Sequence, residues 1–322
     1  MNNQQQLPRT GPVRTSLGFT LVELMISMVI GMVVIGAVYS AYTTSGSGQN
    51  SNAALSQMSE DATLALNLIR KQVALAGYSQ PYQLSNKGFD RRYGNNQQAL
   101  AGCDATNFDN PTAATIAGLN CNGADANNSA IAVAYEADNQ NTLMTAANRP
   151  RDCVGSGIAQ TPQNGLIPAH WVAESRLYIN GNSLMCQGNG QATLPVAGGA
   201  ALTGTPEPLV NNIVNMRIRY GVSNNEQKTG IDGTLITLPG RTPARFLTAA
   251  AIRTAGATTW NNVTAVRVCI VVRSEREVLD QNTPYYGCEA QEAAAPALTQ
   301  APDRRMYRAF STTVMVKNRL GG

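Results

Sequence analysis

Residues that commonly carry enzyme chemistry are scarce in this chain of 322 residues. Its one histidine, His170, stands beside Trp171 with no cluster of acids around it. A metal site or a proton relay needs further ligands or partners, so we interpret His170 as a packed or surface loop residue. The sequence predicts no catalytic residue, no metal site and no cofactor, and therefore no enzyme.

Three other groups have the residue types for ligand binding but not the spacing. Two glycine pairs lack the strand-to-helix context of a phosphate-binding loop: Gly155 with Gly157, and Gly188 with Gly190. Three aspartates lack the regular oxygen spacing of a calcium loop: Asp104, Asp109 and Asp125. Three arginines have little aromatic interleaving, so we expect them to be solvated or paired with acids such as Asp303 rather than bound to DNA: Arg304, Arg305 and Arg308.

From Phe19 to Tyr42 the chain is almost continuously apolar. A helix of that length measures about 36 Å, enough to cross a hydrocarbon core of about 30 Å. Arg9 and Arg14 precede this segment, and no basic residue follows it before Arg70. This bias predicts a cytoplasmic N-terminus, with the remainder of the chain outside. The run is too long for an ordinary cleaved secretory signal, and no small-residue cleavage site follows it.

One acid, Glu23, interrupts the predicted span five residues after Gly18. A carboxylate inside a membrane costs about 2.5–3.5 kcal/mol on insertion scales, so we expect Glu23 to have a partner. The alternative is a lone acid near the interface that reaches water or stays protonated.

The string Gly18-Phe19-Thr20-Leu21-Val22-Glu23-Leu24 resembles the leader junction of type IV pilins and type II secretion pseudopilins. In that family a prepilin peptidase cuts after the glycine and N-methylates the new terminal residue. The resemblance implies a leader over 1–18, a methylated Phe19, and Glu23 as the fifth residue of the mature chain. It also implies that the Glu23 carboxylate pairs with the terminal amine of a neighbouring subunit, so that correct register becomes a condition of burying both charges.

The pattern after the span predicts that the helix continues. Gly46 and Gly48 indicate a softened or locally melted stretch over 43–51. Apolar residues then recur at helical spacing: Leu55, Met58, Ala62, Leu66, Ile69 and Val73. Gly77 is a stop signal. We therefore expect a transmembrane or filament-core helix over 19–42, an amphipathic continuation over 43–77, and a periplasmic head over 78–322.

The sequence of the head predicts loops over 78–130, followed by strands. Strand patterns occur at 130–136, 176–180, 184–187, 213–222, 263–274 and 307–319, with a turn at Gly181-Asn182. The strand at 213–222 is expected to direct Val214 and every second residue after it inward. A short helix over 241–254 is expected to dock Phe246, Leu247 and Ile252. The predicted fold class is α+β and pilin-like: a long N-terminal helix, its first half transmembrane, packed on an antiparallel β-sheet head with long, disulfide-stapled loops.

All the cysteines lie beyond the span, on the side that we expect to be oxidising: Cys103, Cys121, Cys153, Cys186, Cys269 and Cys288. Their even number predicts disulfides, with reduced core cysteines as the alternative. Pairing between neighbours along the chain is the simplest arrangement. A bond from Cys269 to Cys288 would close a loop worth about 3 kcal/mol in the chain-entropy model.

Charge is low, because charged residues make up only 14% of the chain. The net charge is +4, and Arg9 and Arg14 of the predicted leader contribute two of those charges. The rest of the chain is therefore too weakly basic for electrostatic capture of a polyanion to be its evident role.

Four segments look like those of the PilW group of minor pilins: LIRKQVALAGY at 68–78, PLVNNIVNMRIRYG at 208–221, VRVCIVVRS at 266–274, and RRMYRAFSTTV with the later KNR at 304–319. Residues 79–200 match that group only loosely. The related GspJ pseudopilins share the order of elements but are usually much shorter, so the long loop region favours the pilus protein.

This resemblance implies a minor pilin that helps to prime assembly in a tip complex. The partners it implies are other minor pilins of the PilV and PilX types, the major pilin, a pilus tip adhesin, the prepilin peptidase and the inner-membrane assembly platform. It places the protein in the inner membrane as a single-pass chain and then in the pilus, at the tip. A GspJ-like secretion pseudopilin and a DNA-binding minor pilin for transformation are the alternatives.

Overall fold

The computed structural model describes residues 18, 20–84, 88–91, 98–104, 106–108, 116–121, 128–190, 204–229, 233–291 and 295–319. The chain divides into two compact units, residues 1–51 and residues 52–322. Apart from Gly18, the predicted leader lies outside the described residues.

One helix, α1, is continuous over Leu21–Leu75. The prediction of a softened stretch over 43–51 is therefore wrong for the backbone. A glycine inside a helix costs only about 1 kcal/mol relative to alanine, and an existing helix gains one hydrogen bond for each residue it adds. Helix-forming sequence on both sides is thus enough to carry the helix through Gly46 and Gly48.

Beyond α1, the described residues form many strands and one further short helix. In chain order these are β1 (Pro81–Leu84), β2 (Gly88–Arg91), β3 (Leu100–Cys103), β4 (Ala130–Glu136), β5 (Gln160–Thr161), β6 (His170–Asn180), β7 (Ser183–Gly188), β8 (Glu207–Asn211), β9 (Ile213–Val222), β10 (Asn225–Thr229), β11 (Leu235–Pro239), β12 (Arg245–Leu247), α2 (Ala249–Thr254), β13 (Val263–Arg273) and β14 (Tyr307–Met315). Short 3-10 turns lie at Ile116–Gly118, Ala257–Asn262, Glu289–Gln291 and Lys317–Arg319.

These strands build two antiparallel sheets. The larger has the order β3-β4-β6-β7-β8, with β5 paired to β6, and the smaller has the order β12-β9-β13-β14. The hairpins β1-β2 and β10-β11 form separate two-stranded sheets. The predicted fold class, α+β with a long N-terminal helix and antiparallel sheets, is confirmed.

The core of the second unit is built on one face of α1. Five residues of α1 and Ala76, which directly follows it, are almost fully buried, and three of these six are alanines: Met58, Ala62, Ala65, Ile69, Val73 and Ala76. Inward residues of both sheets join the same cluster, including Val133 and Leu177 of the larger sheet and Ile218 and Val268 of the smaller. Small side chains on the helix allow both sheets to approach it closely, so a single helix serves two sheets.

The end of α1 is fastened to the larger sheet by polar contacts. Gly77, with a φ of 73°, ends the helix as predicted, and its N–H donates to Ala134 O at 2.9 Å. The Glu136 carboxylate accepts from Ser79 Oγ and from Gln80 N, both at 2.7 Å. These bonds set the position at which the helix stops against β4.

The helix predicted over 241–254 is wrong in its first half. Arg245–Leu247 forms β12, which pairs with the end of β9, and only Ala249–Thr254 is helical. Thr248 explains the boundary, because its side chain accepts a hydrogen bond from Ala251 N at 3.1 Å and so caps the helix. Ile252 is buried as expected, whereas Phe246 and Leu247 are strand residues.

Two strand predictions also need correction. A register shift where β9 pairs with β13 makes Ile213 the buried residue, and Val214 packs on the opposite face of the sheet. The last strand ends at Met315, not at Arg319, and a 3-10 turn follows. That turn brings Asn318 Nδ2 to within 2.8 Å of Ala74 O, so it helps to cap the last turn of α1.

Other strand predictions differ in extent. The strand predicted at 176–180 begins already at His170, and Gly181, with a φ of 61°, makes the predicted turn. Residues 78–130, predicted as loops, contain three short strands. The hairpin β10-β11 was not predicted. Its first strand, β10, has the wholly polar sequence NEQKT and so lacks the alternation of a half-buried strand.

Gly102 provides a test of how closely the two sheets pack. A Cβ at this position would lie 1.9 Å from Tyr220 Oη, and Tyr220 is fully buried. We expect Gly102→Ala to lower the free energy of unfolding by about 1–3 kcal/mol, as overpacking typically does. Urea unfolding of the full chain in detergent, followed by circular dichroism, measures the change.

The matched control is Gly287→Ala, whose new Cβ would meet its nearest atom at 3.4 Å, an ordinary contact. We expect this variant to unfold within about 0.5 kcal/mol of the parent. Equal stability of the two variants would contradict the packing of Gly102 against Tyr220.

Candidate processing and assembly site

The segment that the sequence predicts to be cut and assembled lies at the start of α1. Gly18 and Glu23 are exposed, whereas Phe19 lies outside the described residues. Thr20 caps the helix, because its Oγ1 accepts from Glu23 N at 3.2 Å and its carbonyl oxygen accepts from Leu24 N at 3.2 Å. Glu23 therefore stands in the first turn, where the helix dipole favours an acid.

The apolar surface of this helix is uncovered in the isolated chain. Residues Leu21–Tyr42 have a mean hydropathy of 2.5 and are long and apolar enough to cross a membrane, judged by length and composition. Large side chains on all sides are more than half exposed, for example Leu24, Val29, Ile35 and Tyr39. Such a surface is stable only against lipid or other apolar helices.

The two serine hydroxyl groups of this segment are satisfied within the helix. Ser27 Oγ donates to Glu23 O at 2.7 Å, and Ser40 Oγ donates to Ala37 O at 2.9 Å. Such back-bonding removes the need for outside partners in an apolar environment. Glu23 differs, because no described residue donates a hydrogen bond to its carboxylate.

The six cysteines form three disulfides: Cys103–Cys121, Cys153–Cys186 and Cys269–Cys288. This is the neighbour-to-neighbour pairing that the sequence analysis named as the simplest. Each bond joins a residue of β3, β7 or β13 to a loop. The bonds therefore tie long loops to sheets.

His170, the only histidine of the chain, is a buried residue of the fold. It begins β6, is 6% exposed, and its Nδ1 lies 2.9 Å from Pro168 O. Among the described residues no group of three or more potential metal ligands occurs. Asp104 caps α2, since its Oδ2 accepts from Ala250 N at 2.7 Å, and Asp109 and Asp125 lie outside the described residues.

The two glycine pairs surround a carboxylate that the sequence analysis missed. Asp152 is 8% exposed, and its carboxylate accepts from Gly190 N at 2.8 Å and Ser156 N at 2.9 Å. A Cβ on Gly188 would lie 2.0 Å from Asp152 Oδ2, so glycine is needed there for close approach. Burial raises the pKa of Asp152, against the lowering effect of these backbone donors. The sequence pattern that could have indicated this buried carboxylate is an aspartate followed by small residues and glycines.

The three C-terminal arginines have partners within the chain. Arg304 Nη2 lies 2.7 Å from Glu277 Oε2, and Arg305 Nη1 lies 3.1 Å from Asp303 Oδ2. The Arg308 guanidinium lies 5.5 Å from the centre of the Phe310 ring. The expected pairing with acids is thus present for Arg304 and Arg305.

Comparison with known proteins agrees with this geometry. Residues 171–318 match the family model of the type IV pilus-assembly protein W, PilW, and residues 14–39 match that of the prokaryotic N-terminal methylation motif. These two matches support a type IV minor pilin of the PilW type. The N-terminal match spans Gly18, Phe19 and Glu23, and together with the apolar helix it fits a membrane-anchored pilin.

Two other comparisons add less. No curated protein matches this chain. Among solved structures, a type IV-like pilin from Thermus thermophilus matches with a TM-score of 0.37 and 12% sequence identity, covering 82% of this chain and all of that one.

The head also contains two buried residues of opposite charge on β6 that were not predicted. Glu174 and Arg176 are 7% and 2% exposed, opposite Ala134 and Ala132 of β4, whose small side chains leave room for them. Burial raises the pKa of Glu174 to about 7, although the positive charge of Arg176 lowers it. Burial likewise lowers the pKa of Arg176 to about 10. The residues that flank this pair in the sequence are neutral, so no sign in the sequence indicated that the two charges would be buried.

The raised pKa predicts how stability depends on pH. From pH 4.5, the ordinary value for Glu174, to about 7, the folded chain keeps a proton that the unfolded chain releases. Stability therefore falls as pH rises through this window, by roughly 2–3 kcal/mol from this one group. Urea unfolding in detergent at intervals from pH 4 to 8 measures the slope, and Glu174→Gln should flatten it.

Glu60→Gln is the control, because Glu60 is an exposed acid on α1. This variant should keep the slope of the parent chain. If Glu174→Gln kept it too, the assignment of the pH dependence to Glu174 would be refuted.

Proposed function

We propose that this chain is a minor pilin that helps to prime type IV pilus assembly within a minor-pilin complex at the filament tip. One observation carries the proposal: the exposed apolar helix Leu21–Tyr42 contains a single acid, Glu23, at a fixed distance from Gly18. A surface of this kind needs lipid or partner helices, and an acid in it needs a partner charge. The match to the N-terminal methylation motif over 14–39 supports this reading of the segment.

Maturation begins, in this proposal, with the prepilin peptidase cutting after Gly18 and methylating Phe19. Gly18 is exposed and precedes the first helical residue, Leu21. Cleavage removes the basic leader with Arg9 and Arg14 and creates a terminal amine at the cytoplasmic end of the apolar helix. The new amine then becomes the charge that a neighbouring subunit can neutralise.

Assembly then depends on pairing that amine with a carboxylate from another subunit. Each charge alone costs about 3 kcal/mol inside the apolar layer, so an unpaired subunit is penalised twice. When Glu23 of one chain meets the amine of the next, the two costs offset each other only in one register. Lateral packing of the apolar helices supplies the remaining attraction. This pairing would lower the barrier to starting a filament.

The same assignment implies the boundaries of the other segments, the partners and the location of the protein. The leader is 1–18, the membrane or filament-core helix is 19–42, its amphipathic continuation is 43–77, and the periplasmic head is 78–322. The partners are other minor pilins of the PilV and PilX types, the major pilin, a tip adhesin, the prepilin peptidase and the inner-membrane assembly platform. Before assembly the protein resides in the inner membrane, and during assembly it moves to the pilus tip.

The role is structural rather than enzymatic. Polar groups that could suggest a reaction serve the fold instead, as with Asp152 in its loop and Asp104 at the start of α2. The paired arginines Arg304 and Arg305 likewise give no support to DNA binding. A gel shift with the full chain in detergent tests that alternative, and salt-sensitive retention of DNA would favour it.

The decisive test is Glu23→Ala or Glu23→Val in cells that depend on this chain for pili. We expect surface pili to fall roughly tenfold or more, because an uncompensated charge of about 3 kcal/mol disfavours the assembled contact by about two orders of magnitude. Electron microscopy and sheared-pilus yields measure piliation. Membrane fractionation should show unchanged insertion, since both replacements are compatible with an apolar span.

Glu60→Ala serves as the control, because it removes an exposed acid from the same helix but outside the apolar segment. It should leave piliation intact. Normal pili in both Glu23 variants would contradict the assembly role. Normal pili combined with a loss of protein secretion would instead favour the pseudopilin alternative.

A further inference from the structure

A pocket of about 450 Å³ lies on the outer face of the smaller sheet, away from the side that packs on α1. Its floor is formed by side chains of three neighbouring strands: Asn215 and Arg217 of β9, Val271 and Arg273 of β13, and Tyr307 of β14. The pairing of Arg273 with Tyr307, and of Val271 with Asn215, places these side chains in adjacent rows. The floor is therefore as fixed as the sheet itself.

The loop between β13 and β14 forms the opposite wall and is fastened at three points. The Cys269–Cys288 disulfide ties its middle to β13. Tyr285 and Thr299 exchange backbone hydrogen bonds at 2.9 and 2.8 Å. The Tyr285 ring stacks on that of Tyr307, with centroids 4.9 Å apart and planes at 17°. A pocket held in this way is preformed, so a ligand need not order the loop when it binds.

Most charges around the pocket are already compensated. The Arg217 guanidinium pairs with Glu289, which is exposed at the rim. The Asp303 carboxylate accepts from Arg305 Nη1 at 3.1 Å, from Arg305 N at 3.0 Å and from Tyr307 Oη at 2.9 Å. Both acids are thus matched by an arginine other than Arg273.

The positive charge of Arg273 helps to lower the pKa of Asp303, but among the described residues the Arg273 side chain forms no ion pair. Its Nε is buried and, among the described residues, has no hydrogen-bond acceptor, and the same is true of Arg217 Nε. A buried donor without an acceptor destabilises a structure, so native proteins usually supply one from the chain, from water or from a ligand. A guanidinium presents its donors as a planar fork that fits the two oxygens of a carboxylate.

We propose that this pocket binds a single carboxylate on a group of about the size of an amino acid, with Arg273 as the residue that receives it. The volume lies near the lower end of the range for ligand sites, which suits such a group. Val271, Tyr285 and Pro302 provide apolar walls for its methylene groups, and Asn182 provides a polar one. The carboxylate can come from an acidic side chain or from a free chain end of a partner protein.

Polyanions and cations fit this pocket less well. Glu289 and Asp303 would repel the extra charges of a phosphate chain or of nucleic acid. A cation would find both acids already engaged by Arg217 and Arg305. The inference goes beyond the proposed role in assembly and holds whether or not the chain enters a pilus.

Saturation-transfer NMR on the full chain in detergent micelles tests the proposal directly. The probes are N-acetyl-glutamate N-methylamide for an acidic side chain, N-acetyl-alanine for a chain end, and N-acetyl-glutamine N-methylamide as the neutral isostere. We expect saturable binding in the millimolar range for at least one carboxylate probe and none for the isostere. Added salt should weaken this binding, because it depends on a charge.

Arg273→Gln should weaken the carboxylate probe about tenfold or more, and Arg273→Lys should weaken it less, since the charge remains but the fork is lost. Arg276→Gln is the control, because Arg276 is an exposed arginine three residues away and does not line the pocket. It should bind like the parent chain.

Three outcomes would overturn the proposal: equal binding of the carboxylate and neutral probes, unchanged binding in Arg273→Gln with a parent-like unfolding temperature, or no binding of either carboxylate. Should Arg273→Gln fail to fold, the comparison of Arg273→Lys with Arg276→Gln and the salt dependence of the parent chain decide instead.

Discussion

The second unit depends on one contact surface, the buried face of α1 that begins at Met58 and is continued by Ala76 just after the helix. Both sheets pack their apolar sides on this face, and they also contact each other directly, as at Gly102 and Tyr220. Alanines at 62, 65 and 76 keep the face shallow, and close packing then follows from shape as well as from hydrophobicity. A larger residue there would push out two sheets together, which makes this face the part of the head that tolerates least change.

Polar contacts decide where along the helix the larger sheet sits. Hydrophobic packing alone is non-directional and leaves a helix free to slide. The buried Glu136 removes that freedom, since its carboxylate is satisfied only when Ser79 and Gln80 stand directly beside it. Asn318, on the turn after β14, adds a contact to Ala74 O from the smaller sheet. Each sheet is thus tied to the last turn of the same helix.

The sequence was informative where periodicity and burial coincide. The strand pattern over 263–274 predicted β13, and the helical spacing around Ile69 predicted the buried face of α1. It failed where a single contact overrides a pattern, as when the cap at Thr248 shortens α2 or a bulge turns Val214 outward. At the assembly segment, the sequence motif alone was enough to identify the candidate residues, and the structure was not needed for this. Charged residues such as Glu174 are buried by strands and loops that are distant in sequence. No local sequence pattern therefore marks them as buried.

The two carboxylates Glu136 and Glu23 show opposite solutions to one problem. Glu136 is 2% exposed and finds its donors within its own chain, so its burial is complete in the monomer. Glu23 lies in an apolar segment, and none of the described residues donates to its carboxylate. A carboxylate is stable in an apolar layer only when it is paired. If Glu23 is buried with its charge, the compensating group lies beyond the described residues. In the assembly that we propose, the terminal amine of a neighbouring chain is that group, so that burial of this segment and assembly become the same event.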